Sequence, residues 1–214
     1  MRHSRALTLV EVIVMVMLLV VLLAVLLPGL GGHTREPRNR NKCSNNLRQI
    51  GLACKQYVQD NDGMLPGSVT RRLPYRRVTL ESSALDMDVL IRDKFITDLS
   101  LFHCPSSGGR VVPGVATRLT GANVMDYYYF GRGYKEEEIG SDTALMTDAC
   151  KALNGPTDAA KTPNHKGEFI NVMYGDTHVE GKNKREVPFR FRTSAEPGFN
   201  RRTDILVLPG TGSG

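Results

Sequence analysis

Hydrophobic residues fill the chain almost without interruption over residues 7–27, where only Thr8 and Glu11 are not apolar. As a helix that rises about 1.5 Å per residue, this segment would be roughly 30 Å long, which matches the hydrocarbon thickness of a bilayer. Pro28 and the glycines that follow it then supply helix breakers. The pattern predicts a transmembrane helix over residues 7–30, with one carboxylate near its start.

Two further segments have the hydrophobic spacing of helices. Apolar residues recur three and four positions apart from Cys43 to Val58, which predicts an amphipathic helix that continues from the membrane segment. A shorter helix is predicted from about Glu81 to Lys94. Residues 33–42 are polar and basic, and we expect an interfacial turn there.

The second half of the chain has the pattern of strands. An aromatic run ends at Phe130, a second strand is expected over residues 143–148, and a hairpin is expected from strands at 169–174 and 178–181. The pattern then fades, and we expect an irregular tail over residues 188–214.

Composition leaves room for one modest domain beside the membrane helix, since the chain has 214 residues. The formal charge is +6, and basic residues cluster at residues 71–77 and 182–202. Such clusters can bind nucleic acid or anionic surfaces. No nucleic-acid motif accompanies them, so we expect a solvated basic face and no nucleic-acid partner.

Four cysteines are present, Cys43, Cys54, Cys104 and Cys150. None belongs to a C-x-x-C pair, which argues against a structural zinc site. Disulfides are allowed outside the cytoplasm. Four cysteines permit three full pairings, and the sequence does not choose among them. A buried free thiol describes Cys54 equally well.

The apolar segment has several possible explanations, and they differ in whether they account for Glu11. A charged side chain costs about 2.5–3.5 kcal/mol at the bilayer centre, and less near an interface. A plain signal anchor explains the length of the segment but not this carboxylate. A secretory leader removed near Gly32 is a third explanation, but the apolar core is longer than such leaders have, and no Ala-x-Ala pattern follows it.

The stretch RALTLVEVIV resembles the processing site of type IV prepilins and type II secretion pseudopilins. In that family a short basic leader ends in a small residue and is removed, and the fifth residue after the cut is Glu. The resemblance implies a leader over residues 1–6, cleavage by a prepilin peptidase between Ala6 and Leu7, and N-methylation of Leu7. Glu11 would then act in assembly by facing the amino terminus of a neighbouring subunit. Ala6 and Leu7 depart from the usual Gly and the common Phe.

Two later stretches extend the resemblance. CSNNLRQIGLACKQYVQDNDGMLP is similar to a segment of pseudopilin-like proteins with large secreted heads, and FHCPSS resembles their Phe-x-Cys-Pro element. The resemblance suggests a disulfide between Cys104 and Cys43. The family also has a C-terminal His followed by Asp-Gly, which His165 and Asp176 match in type and spacing, although Thr177 stands where Gly would be.

The resemblance implies a pilin-like α+β fold, in which a long N-terminal helix packs on a small antiparallel sheet. Its segments would be a leader (1–6), a transmembrane helix (7–30), a helix continuation and connection (31–66), an extracytoplasmic head (67–187) and the tail (188–214). The implied function is that of a structural subunit, drawn through its helix into a type II secretion or type IV pilus-like fibre. It would cross the inner membrane once, with a periplasmic head. Its partners would be the prepilin peptidase, other pilin-like subunits, an inner-membrane assembly platform and membrane lipid.

Little in the sequence favours catalysis, because it has no nucleophile elbow, phosphate loop or zinc-hydrolase helix. We therefore expect no enzymatic activity and no cofactor. The alternative is a membrane-anchored extracytoplasmic binding or metal-dependent protein that uses His165, Asp176 and His178, since Asp-x-His places alternate side chains on one strand face. Asp60 and Asp62 resemble the start of a calcium loop, but the later ligands are missing.

Overall fold

A computed structural model describes the helices, the strands and their nearest connections. The described residues are 8–26, 35–67, 72, 78–107, 118–119, 125–149, 164–183, 190–192 and 204–206. The α-helices within them are α1 (Leu9–Leu26), α2 (Arg35–Asp60) and α3 (Leu80–Arg92). The strands are β1 (Tyr127–Tyr129), β2 (Ala144–Asp148), β3 (Phe169–Tyr174), β4 (Val179–Asn183), β5 (Arg190–Arg192) and β6 (Asp204–Leu206). These elements confirm an α+β fold.

The chain forms two compact units, Met1–Arg38 and Asn39–Gly214. The first contains α1, an 18-residue helix with Glu11 in its first turn. In the part of the chain that the structure describes, we find no helix that is long and apolar enough to cross a bilayer. The predicted membrane segment over residues 7–30 extends beyond the described part of α1 at both ends, so it stays a prediction.

Helix α2 begins at Arg35, so the turn predicted over residues 33–42 is wrong from that residue onward. Pro37 does not prevent the early start, because it lies in the first turn, where the N–H groups have no acceptor within the helix. The helix ends at Asp60. Gly63 follows with φ of 77°, the left-handed conformation typical of helix ends.

Four strands form an antiparallel sheet in the order β1-β2-β3-β4. The register places Tyr127 opposite Asp148 and Thr147 opposite Val172. β3 and β4 form the hairpin that the sequence predicted. The aromatic strand and the strand near residues 143–148 are also confirmed.

Along the strands of this sheet, successive side chains pack alternately into two separate hydrophobic cores. The larger core contains Tyr127, Tyr129, Met146 and Met173, together with the buried faces of α2 and α3. The smaller core contains Tyr128, Phe130, Ile170, Val172, Val78 and Ile205. The three consecutive tyrosines of β1 are therefore packing residues of both cores, and all three are almost fully buried.

Helix α2 contributes to the larger core through the residues that its spacing predicted, which are Cys43, Leu47, Ile50, Cys54 and Val58. Gly51 lets the helix approach β3 closely. A Cβ atom at Gly51 would lie 2.6 Å from Sδ of Met173 and 3.3 Å from Thr177. Any larger residue at this position would require the Met173 side chain to move.

Helix α3 confirms the helix predicted near residues 81–94 and begins with a capping box between Thr79 and Ser82. It is tied to the loop after β1 by Arg132, whose Nε donates to both carboxylate oxygens of Asp86, at 2.9 and 2.7 Å. The two side chains are only 12% and 2% exposed. This is a mostly buried ion pair.

The C-terminal range 188–214 differs from the expected irregular tail. Strands β5 and β6 lie within it and pair in parallel. Ile205 is 1% exposed and belongs to the smaller core. Strands of three residues carry too little hydrophobic pattern to be recognised in a sequence.

Candidate functional site

The predicted cleavage and methylation site, Ala6 and Leu7, lies outside the described residues. Thr8 and Glu11 form a capping box at the start of α1. The N–H and the hydroxyl of Thr8 both donate to Oε2 of Glu11 at 2.9 Å, and the Glu11 N–H donates to the Thr8 hydroxyl at 3.3 Å. Such reciprocal bonds satisfy the free N–H groups at a helix start. The carboxylate that was predicted for assembly thus has a local structural role as well.

The remaining described side chains of α1 are large, apolar and exposed. From Leu9 to Leu23 their exposed fractions run from 47% to 76%. A helix that is apolar on every side needs an apolar environment, which either lipid or other protein helices can supply.

A disulfide joins Cys43 of α2 to Cys104, with their Cα atoms 5.4 Å apart. This is the pairing that the family resemblance suggested. Both cysteines are buried, at 0% and 2% exposure. The bond connects α2 to the loop that precedes β1.

His165 lies against this disulfide and pairs with a buried carboxylate. Its Nε2 atom is 3.5 Å from Sγ of Cys104 and 3.2 Å from Oδ2 of Asp148. The side chains of His165 and Asp148 are completely buried. His165 has φ of 51°, in the left-handed region that residues other than glycine seldom adopt. A tight turn before β3 and the last residue of β2 thus bring the imidazole and the carboxylate together.

Asp148 is held in place by donors from the neighbouring strand. The backbone N–H and the side-chain amide of Asn171 donate to its Oδ2 atom at 2.7 and 2.9 Å. The amide of Asn164 lies 3.5 Å from the other oxygen. These donors satisfy the oxygens of a side chain that is completely buried.

Asp126 is a second buried carboxylate, next to the first residue of β1. Its Oδ2 atom accepts the N–H of Cys104 at 3.1 Å and the hydroxyl of Ser107 at 2.7 Å. The same oxygen is 3.1 Å from Nδ1 of His103. Asp126 therefore fixes the backbone that positions the disulfide.

The residues weighed as a metal set, His165, Asp176 and His178, are not brought together. Asp176 accepts the N–H of His178 at 3.0 Å, and their side chains also pair, at the turn after β3. His165 precedes β3, a strand of six residues that spans about 20 Å. An extended strand of this length keeps His165 at one end away from Asp176 and His178 at the other, so the three side chains do not form a metal set.

The β3–β4 turn also differs from the family pattern. Thr177 itself takes the left-handed conformation, with φ of 72°. Gly175 is needed instead for a close approach, because a Cβ there would lie 2.6 Å from the carbonyl oxygen of Gly140. Asp176 thus serves this turn through its bonds to His178.

Among the described residues, one group of side chains has the composition and proximity of a metal-ligand set. It consists of Cys43, Cys104, Asp148 and His165, whose ligand atoms lie within 4.8 Å of one another. Asp60 and Asp62 belong to no such group in this part of the chain.

Of the other two cysteines, the structure describes one. Cys54 is a buried free cysteine, and burial raises the pKa of its thiol to about 12, so it stays protonated at neutral pH. Cys150 lies outside the described residues.

Sequence reasoning missed Asp126, Asp148 and Asn171. A signal for them was present in the sequence, since each is a charged or amide residue next to or inside a segment predicted to be a buried strand. Buried groups of this kind require hydrogen-bond partners. The sequence does not reveal which partners, because they come from residues that lie 16 to 131 positions away in the chain.

No protein-family model, no curated protein and no solved structure matches this chain. The case for its function therefore comes from its own residues.

Proposed function

We propose that this chain is a pilin-like structural subunit, cleaved by a prepilin peptidase after Ala6 and assembled through its N-terminal helix into a type II secretion or type IV pilus-like fibre. The observation that carries the proposal is α1, whose described side chains beyond Glu11 are apolar and exposed on every side. Before assembly the inner membrane would cover this surface, with the head in the periplasm. In the fibre, helices of neighbouring subunits would cover it.

Glu11 gives the assembly its register in this proposal. Cleavage after Ala6 creates a charged amino group at Leu7, and the carboxylate of a neighbouring subunit would pair with it. A pair of opposite charges away from water is strongly attractive, whereas either charge alone is penalised. A subunit placed out of register would leave both charges unpaired, so the fibre would exclude it.

The second unit supports the proposal through its architecture. An amphipathic helix, α2, packs on a four-stranded antiparallel sheet, and a disulfide fastens the helix to the rest of the unit. This is the arrangement expected of a pilin-like head. The heterologous packing of identical helices would give open filaments rather than closed rings.

The first test is the amino-terminal mass of the full chain extracted from its host's membranes. We expect a terminus at N-methyl-Leu7. An intact Met1, or a terminus near residue 33, would refute prepilin processing.

A pair of variants separates the two roles of Glu11. Glu11→Gln removes the charge but keeps an acceptor suited to the capping box, whereas Thr8→Val removes the cap and keeps the charge. We expect Glu11→Gln to reduce recovery of the subunit in sheared fibres strongly, and Thr8→Val to reduce it little. The reverse order would mean that Glu11 acts only as a helix cap, and the register mechanism would be wrong.

A further inference from the structure

The disulfide, His165 and Asp148 form a set of donors that suits a metal ion. Two sulfurs, one imidazole nitrogen and one carboxylate oxygen lie within 4.8 Å of one another, and all four residues are buried. Thiolate, imidazole and carboxylate are the ligands of tetrahedral zinc sites. We propose that reduction of the Cys43–Cys104 bond converts this cluster into a binding site for Zn²⁺, so that the disulfide and the bound ion are alternative states of one site.

The distances already match two edges of a tetrahedral site. An ion about 2.3 Å from sulfur and about 2.0 Å from nitrogen and oxygen holds sulfur and nitrogen about 3.5 Å apart, and nitrogen and oxygen about 3.3 Å apart. Nε2 of His165 is 3.5 Å from Sγ of Cys104 and 3.2 Å from Oδ2 of Asp148. Binding also requires the two sulfurs to separate to about 3.8 Å, and any other pair of ligand atoms, all of which lie within 4.8 Å of one another, to adjust to about 3.5 Å.

The change of state balances in electrons, protons and charge. A dithiol reductant supplies two electrons and two protons to the S–S bond, which yields two thiols, and becomes a disulfide itself. The ion then displaces the two thiol protons to solvent. Because Zn²⁺ cancels the charges of two thiolates, replacing the disulfide by two thiolates and the ion leaves the net charge of the site unchanged. No uncompensated charge is added to the interior.

Surrounding residues already orient the ligands. Asn171 donates twice to the Asp148 oxygen that faces His165, and Asp126 accepts the N–H of Cys104. Partners of this kind hold metal ligands in position. Cys54 is not part of this group of neighbouring ligand atoms.

The test uses the full chain in detergent micelles and Co²⁺ as a spectroscopic substitute for Zn²⁺. The protein is reduced with dithiothreitol, which is removed under anaerobic conditions before Co²⁺ is added. We expect one Co²⁺ per reduced chain, with the thiolate-to-cobalt and tetrahedral absorption bands, and full displacement by Zn²⁺. The oxidised chain should show none of these bands.

Variants identify the ligands. Cys104→Ala should abolish the bands and His165→Gln should weaken binding strongly, whereas Cys54→Ala, which removes a cysteine outside the cluster, should bind as the wild type does. Asn171→Ala should weaken binding about 10- to 100-fold. Near-ultraviolet circular dichroism of each reduced protein shows whether its tyrosine core is intact.

Any of three results would overturn the proposal. The reduced wild type could stay folded without binding one Co²⁺ per chain, or Co²⁺ could bind to His165→Gln as it does to the wild type. The third is a reduced chain that unfolds and is not refolded by Co²⁺. None of these measurements depends on amino-terminal processing, so the site and the proposed assembly function succeed or fail separately.

Discussion

Replacing both Cys43 and Cys104 by alanine should remove a large part of the stability of the unit Asn39–Gly214. The two cysteines are 61 residues apart in sequence. A cross-link that closes a loop of this length restricts the unfolded chain and contributes about 4 kcal/mol at 25 °C. Domains are stable by only about 5–15 kcal/mol, so this loss removes from roughly a quarter to most of that stability.

The free energy of unfolding can be measured by urea titration of the full chain in detergent, with a chelator present to exclude metal ions. The chain has seven tyrosines and no tryptophan, so near-ultraviolet circular dichroism reports largely on the tyrosines of the sheet. The signal therefore follows the second unit rather than α1.

Cys54→Ala is the matched control. Cys54 is 1% exposed and belongs to the same core, but it closes no loop. Its effect measures the loss of one packed sulfur. In the double variant, the free energy of unfolding should fall by about 4 kcal/mol more than twice the decrease measured for Cys54→Ala. A loss no greater than twice the control value would refute the loop argument and show that the disulfide contributes packing alone.

Three further predictions concern buried polar groups. Arg132→Ala should lower the free energy of unfolding by about 3–5 kcal/mol, because it leaves the Asp86 carboxylate buried without its guanidinium partner. Arg92→Ala, which removes an exposed ion pair, should change the free energy of unfolding little. Equal effects of the two substitutions would contradict this prediction. Asp148→Ala should cost about 1–3 kcal/mol for each buried donor that it leaves unsatisfied, and a near-neutral result in urea titration would be inconsistent with the observed bonds. Burial raises the pKa of Tyr129 well above its ordinary value, so the unfolded chain releases this proton first, from about pH 10. The stability is then complete below about pH 10 and falls above it, and Tyr129→Phe should make that decline shallower in unfolding titrations at rising pH.

Helices α2 and α3 were predictable from hydrophobic spacing, because each buries an apolar stripe, whereas the three-residue strands β5 and β6 were not. The face of α2 from Cys43 to Val58 is the clearest case. The start of α2 was not predictable in this way. Residues 35–42 are polar, so the first two turns of the helix carry no apolar stripe. The capping box of Thr8 and Glu11 could have been recognised from the Thr-x-x-Glu spacing alone.

The buried cluster was predictable only in part. The family resemblance suggested the Cys43–Cys104 bond and singled out His165, but it paired that histidine with Asp176. The partner in the structure is Asp148, because β2 and β3 are adjacent and their register brings the end of β2 to the turn that carries His165. Strand register is a property of the whole sheet, and short strands specify it weakly in sequence.

The Cys43–Cys104 bond also decides how this chain carries mechanical load. A pulling force that enters α2 from its amino-terminal side reaches Cys43 and passes through a covalent bond to Cys104. The intervening segment, 61 residues in sequence separation, stays outside the path of the force. At about 3.4 Å per residue that segment stores roughly 200 Å of extension, which tension can draw out only after reduction. A single bond thus sets whether the unit Asn39–Gly214 behaves under tension as a stiff coupling or as an extensible tether.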